Sequence, residues 1–137
     1  MNHIKAWDLI SNHWTSDYSI ICNLDIKYQC LIYGFWYCSE VSNGGSEQFY
    51  LNHSDEAPRL LSECLKMIQF DQGVKAVQQS WSIFKNPHSQ IERCNDMKNM
   101  TTEQLERHFQ ECESIIFENR QDGLEYRFDI WASNNAT

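Results

Sequence analysis

The chain has 137 residues, which is enough for one domain with a buried core, and 42% of them are hydrophobic and 13% aromatic. This composition excludes a disordered or low-complexity protein. The 19 acidic and 11 basic residues give a net charge of −8 at pH 7, which disfavours direct binding to nucleic acid, because phosphate contacts need a basic surface. An acidic surface instead suits a partner protein with a basic surface.

The sequence shows no segment that points to a membrane or to secretion. Its longest charge-free stretch is residues 28–39, which is too short to span a bilayer, and the first residues lack a cationic start followed by an apolar core. We therefore expect a cytoplasmic protein without membrane contact. A homodimer is compatible with the sequence.

Hydrophobic residues recur at helical spacing in the first third of the chain. The pattern predicts a short amphipathic helix over residues 4–14 and a longer helix over residues 24–42. The second helix is apolar on nearly all sides, which is typical of a central, buried helix. Asn43 and Gly44 tolerate positive φ and are predicted to end it, and a short helix carrying Phe49 and Tyr50 follows.

Helix start signals punctuate the rest of the chain, and they predict an all-α, single-domain bundle of about six to eight helices over residues 1–137. The C-terminal segment, residues 122–131, fits a strand or a helix, and both readings stay open. The start signals are, in chain order, Ser54 or Asp55 with Pro58 in the next turn, Asp71, and two expected capping boxes, Ser89 with Glu92 and Thr101 with Gln104.

The helix that begins near Thr101 is the clearest amphipathic element. Its apolar stripe is Leu105, Phe109, Cys112 and Ile116. The opposite side is rich in glutamates, and Phe117 falls on that polar side as a candidate exposed aromatic. The predicted protein-binding residues are Glu103, Glu106, Glu111, Glu113, Phe117 and Glu118.

The sequence contains no recognisable catalytic constellation, and we expect neither an enzyme nor a metal or other cofactor. The six cysteines form no Cys-x-x-Cys pair and are expected to be reduced and mostly buried. His108 and Cys112, four residues apart, are a weak metal-binding pattern. Gly44-Gly45 is followed by an acid, Glu47, which does not suit a phosphate-binding loop.

The stretch from Glu40 to Asn52 is the most specific part of the sequence. Glu40 lies on the apolar helix, so we expect it to have a partner, either backbone N–H groups around residues 43–46 or a basic side chain. The polar residues of the stretch are predicted to satisfy the turn. This structural motif comprises Glu40, Asn43, Gly44, Gly45, Gln48 and Asn52.

The pattern Glu-Val-x-Asn-Gly-Gly-x-x-Gln-Phe-Tyr-x-Asn in residues 40–52 resembles the signature of a bacterial family whose named representative is a DNA-mimic protein. The likeness covers residues 24–118, and one departure is Ser46, where the family usually has an aromatic residue. The resemblance implies an all-helical fold without catalytic residues. For the mimic member it implies an acidic surface that imitates duplex phosphates and occupies the DNA-binding face of a transcription factor.

Two classes of function follow. The first is a non-enzymatic, acidic, protein-binding inhibitor, either an immunity protein that neutralises a cognate toxin or a DNA mimic that blocks a DNA-binding protein. The alternative is a small-molecule-binding domain or an enzyme whose site lies near Asn43–Asn52, with Asn43, Gln48 and Asn52 beside Tyr50.

Overall fold

The computed structural model describes residues 4–118, 120 and 122–135. Within this part of the chain every regular element is helical, so the predicted all-α class is confirmed. Two short 3₁₀ turns, Ser11–His13 and Trp81–Ile83, follow the first and sixth α-helices. The α-helices are α1 (Ala6–Ile10), α2 (Tyr18–Ile21), α3 (Ile26–Gly44), α4 (Ser46–Asn52), α5 (Ala57–Met67), α6 (Asp71–Ser80), α7 (Gln90–Lys98), α8 (Thr102–Phe117) and α9 (Gly123–Asn135).

Helix α3 is the centre of the bundle, as its nearly continuous apolar surface predicts. It packs against α1, α4, α5 and α9, and most of its middle section is buried. Gly34 permits the close approach of two of these helices. A Cβ atom there would lie 2.5 Å from Cζ of Phe128 on α9 and 3.0 Å from Sγ of Cys64 on α5. A larger residue would therefore push α5 and α9 away from the core.

Helix α8 lies between α4 and α6. The predicted apolar stripe of α8 is buried against α4 and α6. The capping box at its start is confirmed: Gln104 N–H donates to Thr101 Oγ1 at 3.1 Å, and Thr101 N–H donates to Gln104 Oε1 at 2.9 Å. The capping box thus fixes where α8 begins, and the apolar packing against α4 and α6 fixes its orientation.

The other predicted helix starts need correction. Ser89 accepts the N–H of Glu92 at 3.3 Å, but the Glu92 carboxylate accepts from Asn86 Nδ2 at 2.9 Å, so the second capping box is only half formed. Helix α5 begins after Glu56 without a side-chain cap, although Pro58 lies in its first turn as predicted. Asp71 is the first residue of α6, not its cap.

The C-terminal segment is helix α9, which decides between the two readings of residues 122–131. Its buried stripe contains Leu124, Phe128 and Ala132, and it packs against α1. Asp129 Oδ1 accepts the backbone N–H of Ala6 at 2.8 Å, so α9 also satisfies the start of α1.

The predicted helix over 4–14 is shorter than expected, and the four-residue α2 was not predicted. The additional α2 brings the number of α-helices in the described residues to nine, one more than the upper end of the prediction.

None of the helices in the described residues is both long and apolar enough to cross a membrane.

Candidate protein-binding surface

The joint between α3 and α4 is made by Gly45. Helix α3 continues through Gly44, and Gly45 takes φ 96°, so the predicted stop at Asn43-Gly44 is wrong by one residue. Glycine is required at 45 for two reasons: its φ lies in the left-handed region, and a Cβ atom there would lie 2.6 Å from Oε2 of Glu47. Helices α3 and α4 thus meet at one residue.

The first turn of α4 is held by Glu113 of α8. Its Oε2 atom accepts the backbone N–H of Ser46 at 3.0 Å and the Ser46 hydroxyl at 2.8 Å. The Tyr37 hydroxyl lies 2.7 Å from Ser46 Oγ and donates to it, since the Ser46 proton goes to Glu113. Ser46 is fully buried, so this serine, which departs from the resembled family pattern, is part of a polar network inside the core.

The end of α4 is held by Arg93 of α7, a residue to which the sequence analysis gave no role. Arg93 is fully buried. Its guanidinium donates to the carbonyl oxygens of Tyr50 at 2.9 Å, Pro87 at 2.7 Å, His53 at 2.8 Å and Ser54 at 2.9 Å. Burial lowers the pKa of Arg93, but four carbonyl acceptors stabilise its charge. Arg93 therefore fixes α4 to the loop that precedes α7.

The polar residues of the Glu40–Asn52 motif bind mainly to one another. Asn52 Nδ2 donates to Glu40 Oε2 at 2.9 Å and lies 3.5 Å from Gln48 Oε1. Glu40 Oε1 is 4.0 Å from Nε2 of His53. Glu40 thus has a partner, as predicted, but that partner is an amide on α4, not the turn backbone around residues 43–46. Asn43 is exposed on the last turn of α3.

The glutamates predicted as one surface are divided between two edges of α8. Glu103, Glu106 and Glu113 face α4, where they line a cleft with Gly45 and Glu47. Glu111 lies on the other edge, beside α6. This division follows from the helical period, because residues three, four and seven apart share an edge.

Two members of the predicted surface have structural partners. Glu113 is half-buried and holds the first turn of α4 through Ser46. Glu118 ends α8 in the left-handed conformation, with φ 51°, and its carboxylate accepts from the guanidinium of Arg127 on α9. Arg127 in turn lies over the ring of Phe70, 3.6 Å from its centroid. The exposed carboxylates on the α4 edge are therefore Glu103 and Glu106, and Arg107 pairs with Glu103 at 3.0 Å.

Phe117 is not the exposed aromatic that the helical pattern predicted. It is only 8% exposed, and its ring stacks parallel to that of Tyr37, with centroids 6.0 Å apart. The physical reason is that Tyr37 of α3 covers this position, so a residue on the polar side of the helix becomes buried there. Phe117 is removed from the candidate surface.

Glu47 is a functional candidate that helical periodicity and spacing do not reveal. It is 5% exposed, and its Oε2 atom has no hydrogen-bond partner in the described part of the chain. Burial raises the pKa of this carboxyl, its own backbone N–H lowers it, and Glu113 and Glu106 raise it further. The only sequence signal was its position after the glycine pair.

The alternative site near residues 43–52 lacks the expected arrangement. Tyr50 is fully buried, with its hydroxyl 3.4 Å from Ser80 Oγ, so it does not share a cleft with Asn43, Gln48 and Asn52.

The buried cysteines do not fit nucleophiles either. Burial raises the pKa of the Cys30 thiol to about 12 and that of Cys112 to about 11.

The weak metal pattern gains no support from the geometry. One ring nitrogen of His108 lies 2.9 Å from the carbonyl oxygen of Ser80. Across the residues that the structure describes, no three His, Cys, Asp or Glu side chains form a group that could hold a metal ion. Four of the six cysteines are buried, which agrees with the prediction that most of them are buried.

The fold and the surface together define an acidic, all-α protein with several exposed glutamates along α8. The chain belongs to the DMP19-like protein family, whose family model matches residues 22–135. This range contains the whole Glu40–Asn52 motif and both residues that hold α4, Arg93 and Glu113. Neither the curated proteins nor the solved structures contain a match to the chain.

Proposed function

We propose that this chain is a non-enzymatic DNA mimic that binds the basic, DNA-binding surface of a cytoplasmic partner protein. Membership of the DMP19-like family supports the proposal, because the motif in residues 40–52 resembles that of a DNA-mimic family. The net charge of −8 supports it too, since an acidic protein is attracted to surfaces that bind phosphates.

The observation that carries the proposal is the α4 edge of α8. Glu103 and Glu106 project into solvent there, beside the inner carboxylates Glu47 and Glu113. Because α8 is fixed to α4 by Glu113, these charges have defined positions relative to one another. A fixed arrangement of carboxylates can meet lysines and arginines that otherwise contact DNA phosphates.

An immunity protein is the second candidate, and a different surface favours it. Trp7, Trp14 and Tyr18 are each about 40% exposed and lie edge-on to one another or to Trp36. Tryptophan and tyrosine are frequent anchors of tight protein interfaces. A toxin bound through this aromatic cluster would depend less on salt than a partner bound through glutamates.

Affinity capture tests the proposed function. The tagged chain is incubated with extract of the native host, and bound proteins are eluted either with duplex DNA or with a neutral polymer as control. We expect a DNA-binding protein that duplex DNA releases and the neutral polymer does not, with binding that weakens steeply as salt rises. Retention of every captured protein in excess duplex DNA would contradict DNA mimicry, and dependence on Trp7 and Trp14 would favour immunity.

A further inference from the structure

A cleft of about 420 Å³ separates the start of α4 from α8. We call it the α4–α8 cleft. Four carboxylates and one guanidinium lie along it, so its ionisable groups are predominantly acidic. Its lining residues are Gly45, Glu47, Glu103, Glu106, Arg107, Gln110 and Glu113.

The innermost carboxylate of this cleft has an unused acceptor atom. The Glu47 side chain is only 5% exposed, yet its Oε2 atom has no hydrogen-bond donor among the described residues. The carboxylate lies against Gly45, which also lines the cleft. Buried carboxylates are normally paired, because an unpaired charge or polar atom removed from water is costly. Glu47 therefore points to a missing cationic or hydrogen-bonding partner.

The nearby side chains do not supply that partner. Arg107 pairs with Glu103, and both side chains are largely exposed, so this ion pair lies at the outer rim of the cleft. Glu113 accepts from Ser46 and adds negative charge close to Glu47. The interior of the cleft therefore combines an unpaired acceptor with an unneutralised excess of negative charge.

We propose that the α4–α8 cleft receives a single arginine side chain of the basic partner, whose guanidinium binds Glu47 and Glu106. The inference rests on the proposed function for the identity of the partner, but not for the chemistry of the cleft. A guanidinium fits better than a metal ion, since no metal-binding group of three side chains exists among the described residues. It also fits better than an ammonium, because guanidinium is weakly hydrated and donates along a planar fork to paired carboxylates.

Binding of a small guanidinium probe tests the cleft directly. N-acetyl-arginine methylamide is titrated into the ¹⁵N-labelled protein, and N-acetyl-citrulline methylamide serves as the uncharged control of nearly the same shape. We expect saturable shifts of the Gly45, Ser46 and Glu47 amides with the arginine probe only. Equal shifts with both probes, or shifts confined to other helices, would overturn the proposal.

Variants show whether the cleft carboxylates carry this binding. Glu106→Gln and Glu47→Gln are each expected to weaken the arginine probe at least fivefold, whereas Glu111→Gln, the same change on the other edge of α8, leaves it unchanged. Glu106 is exposed, so its variant reports on the cleft even where Glu47→Gln alters folding. Unchanged binding in Glu106→Gln, or equal weakening in Glu111→Gln, would contradict the assignment.

The probe titration and the DNA-release assay together separate this inference from the proposed function. Probe binding without release of the partner by DNA would overturn the mimic function and leave the arginine cleft supported. Release of the partner by DNA with no localised probe binding would support the mimic function and overturn the cleft.

Discussion

Arg93 and Glu113 lie at opposite ends of α4 and match the direction of its helix dipole. The Arg93 guanidinium binds carbonyl oxygens at the C-terminal end, and the Glu113 carboxylate binds the Ser46 N–H at the N-terminal end. A cation at the C-terminus and an anion at the N-terminus both stabilise a helix. Because a seven-residue helix is unstable alone, these two contacts from α7 and α8 explain how α4 is kept in place.

Replacement of Arg93 by lysine is expected to lower the free energy of unfolding by about 3 kcal/mol, because an ammonium cannot reach all four carbonyl acceptors and leaves buried ones unsatisfied. Urea unfolding followed by circular dichroism measures the loss. The control is Arg59→Lys. Arg59 forms an exposed ion pair with Glu56, so this change should alter the free energy of unfolding by less than about 0.5 kcal/mol. Equal stability of the two variants would show that Arg93 does not anchor α4.

Replacement of Glu113 by alanine removes the acceptor of the buried Ser46 N–H. We expect a loss of about 1–3 kcal/mol in the free energy of unfolding, which is the usual cost of leaving such a group unsatisfied. The matched control is Glu111→Ala, two residues away on the same helix and exposed, with a change within about 0.5 kcal/mol. A larger effect at Glu111 than at Glu113 would refute the capping role.

The two adjacent glycines should respond differently to alanine. Gly45→Ala places a side chain at a positive φ and makes it clash with the Glu47 carboxylate. We therefore expect the free energy of unfolding to fall by about 2 kcal/mol or more. Gly44 lies in α3, and a Cβ atom added there would meet only the flexible Gln48 side chain. Gly44→Ala should therefore change the free energy of unfolding only slightly. Adding Glu47→Ala to Gly45→Ala should recover the steric part of the loss alone. Equal melting temperatures for the two single variants would contradict this assignment.

Glu47 should make stability depend on pH in the opposite sense to an ion-paired carboxylate. Its pKa is raised above the usual 4.5, so its contribution to stability is complete below pH 4.5 and is lost as pH rises through the raised value. Glu47→Gln mimics the neutral form. It should therefore be more stable than the natural chain at pH 7 and equally stable below pH 4.5, as measured by urea unfolding at each pH. A variant less stable at pH 7 would show that the ionised carboxylate is stabilising.

The sequence predicts the features of this fold that depend on neighbouring residues. The Thr101–Gln104 capping box and the burial of α3 follow from local spacing alone. Phe117 shows the limit of such patterns, because its burial depends on contact with Tyr37, a residue of α3 that is distant in the chain. Arg93 and Glu113 were missed as anchors of α4 for the same reason: their partners lie some 40 and 67 residues away in the chain, and no local signal records those contacts.

The most direct test of the central claim is displacement of labelled duplex DNA from the captured DNA-binding partner. Fluorescence anisotropy of the labelled DNA monitors this displacement. The natural chain should displace the DNA, and the double variant Glu103→Lys, Glu106→Lys should need at least tenfold higher concentration. The control Glu56→Lys, Glu63→Lys makes the same charge change immediately before and within α5 and should displace DNA nearly as well as the natural chain. Equal displacement by both double variants, or no displacement by the natural chain, would contradict the claim that the α4 edge of α8 replaces DNA on its partner.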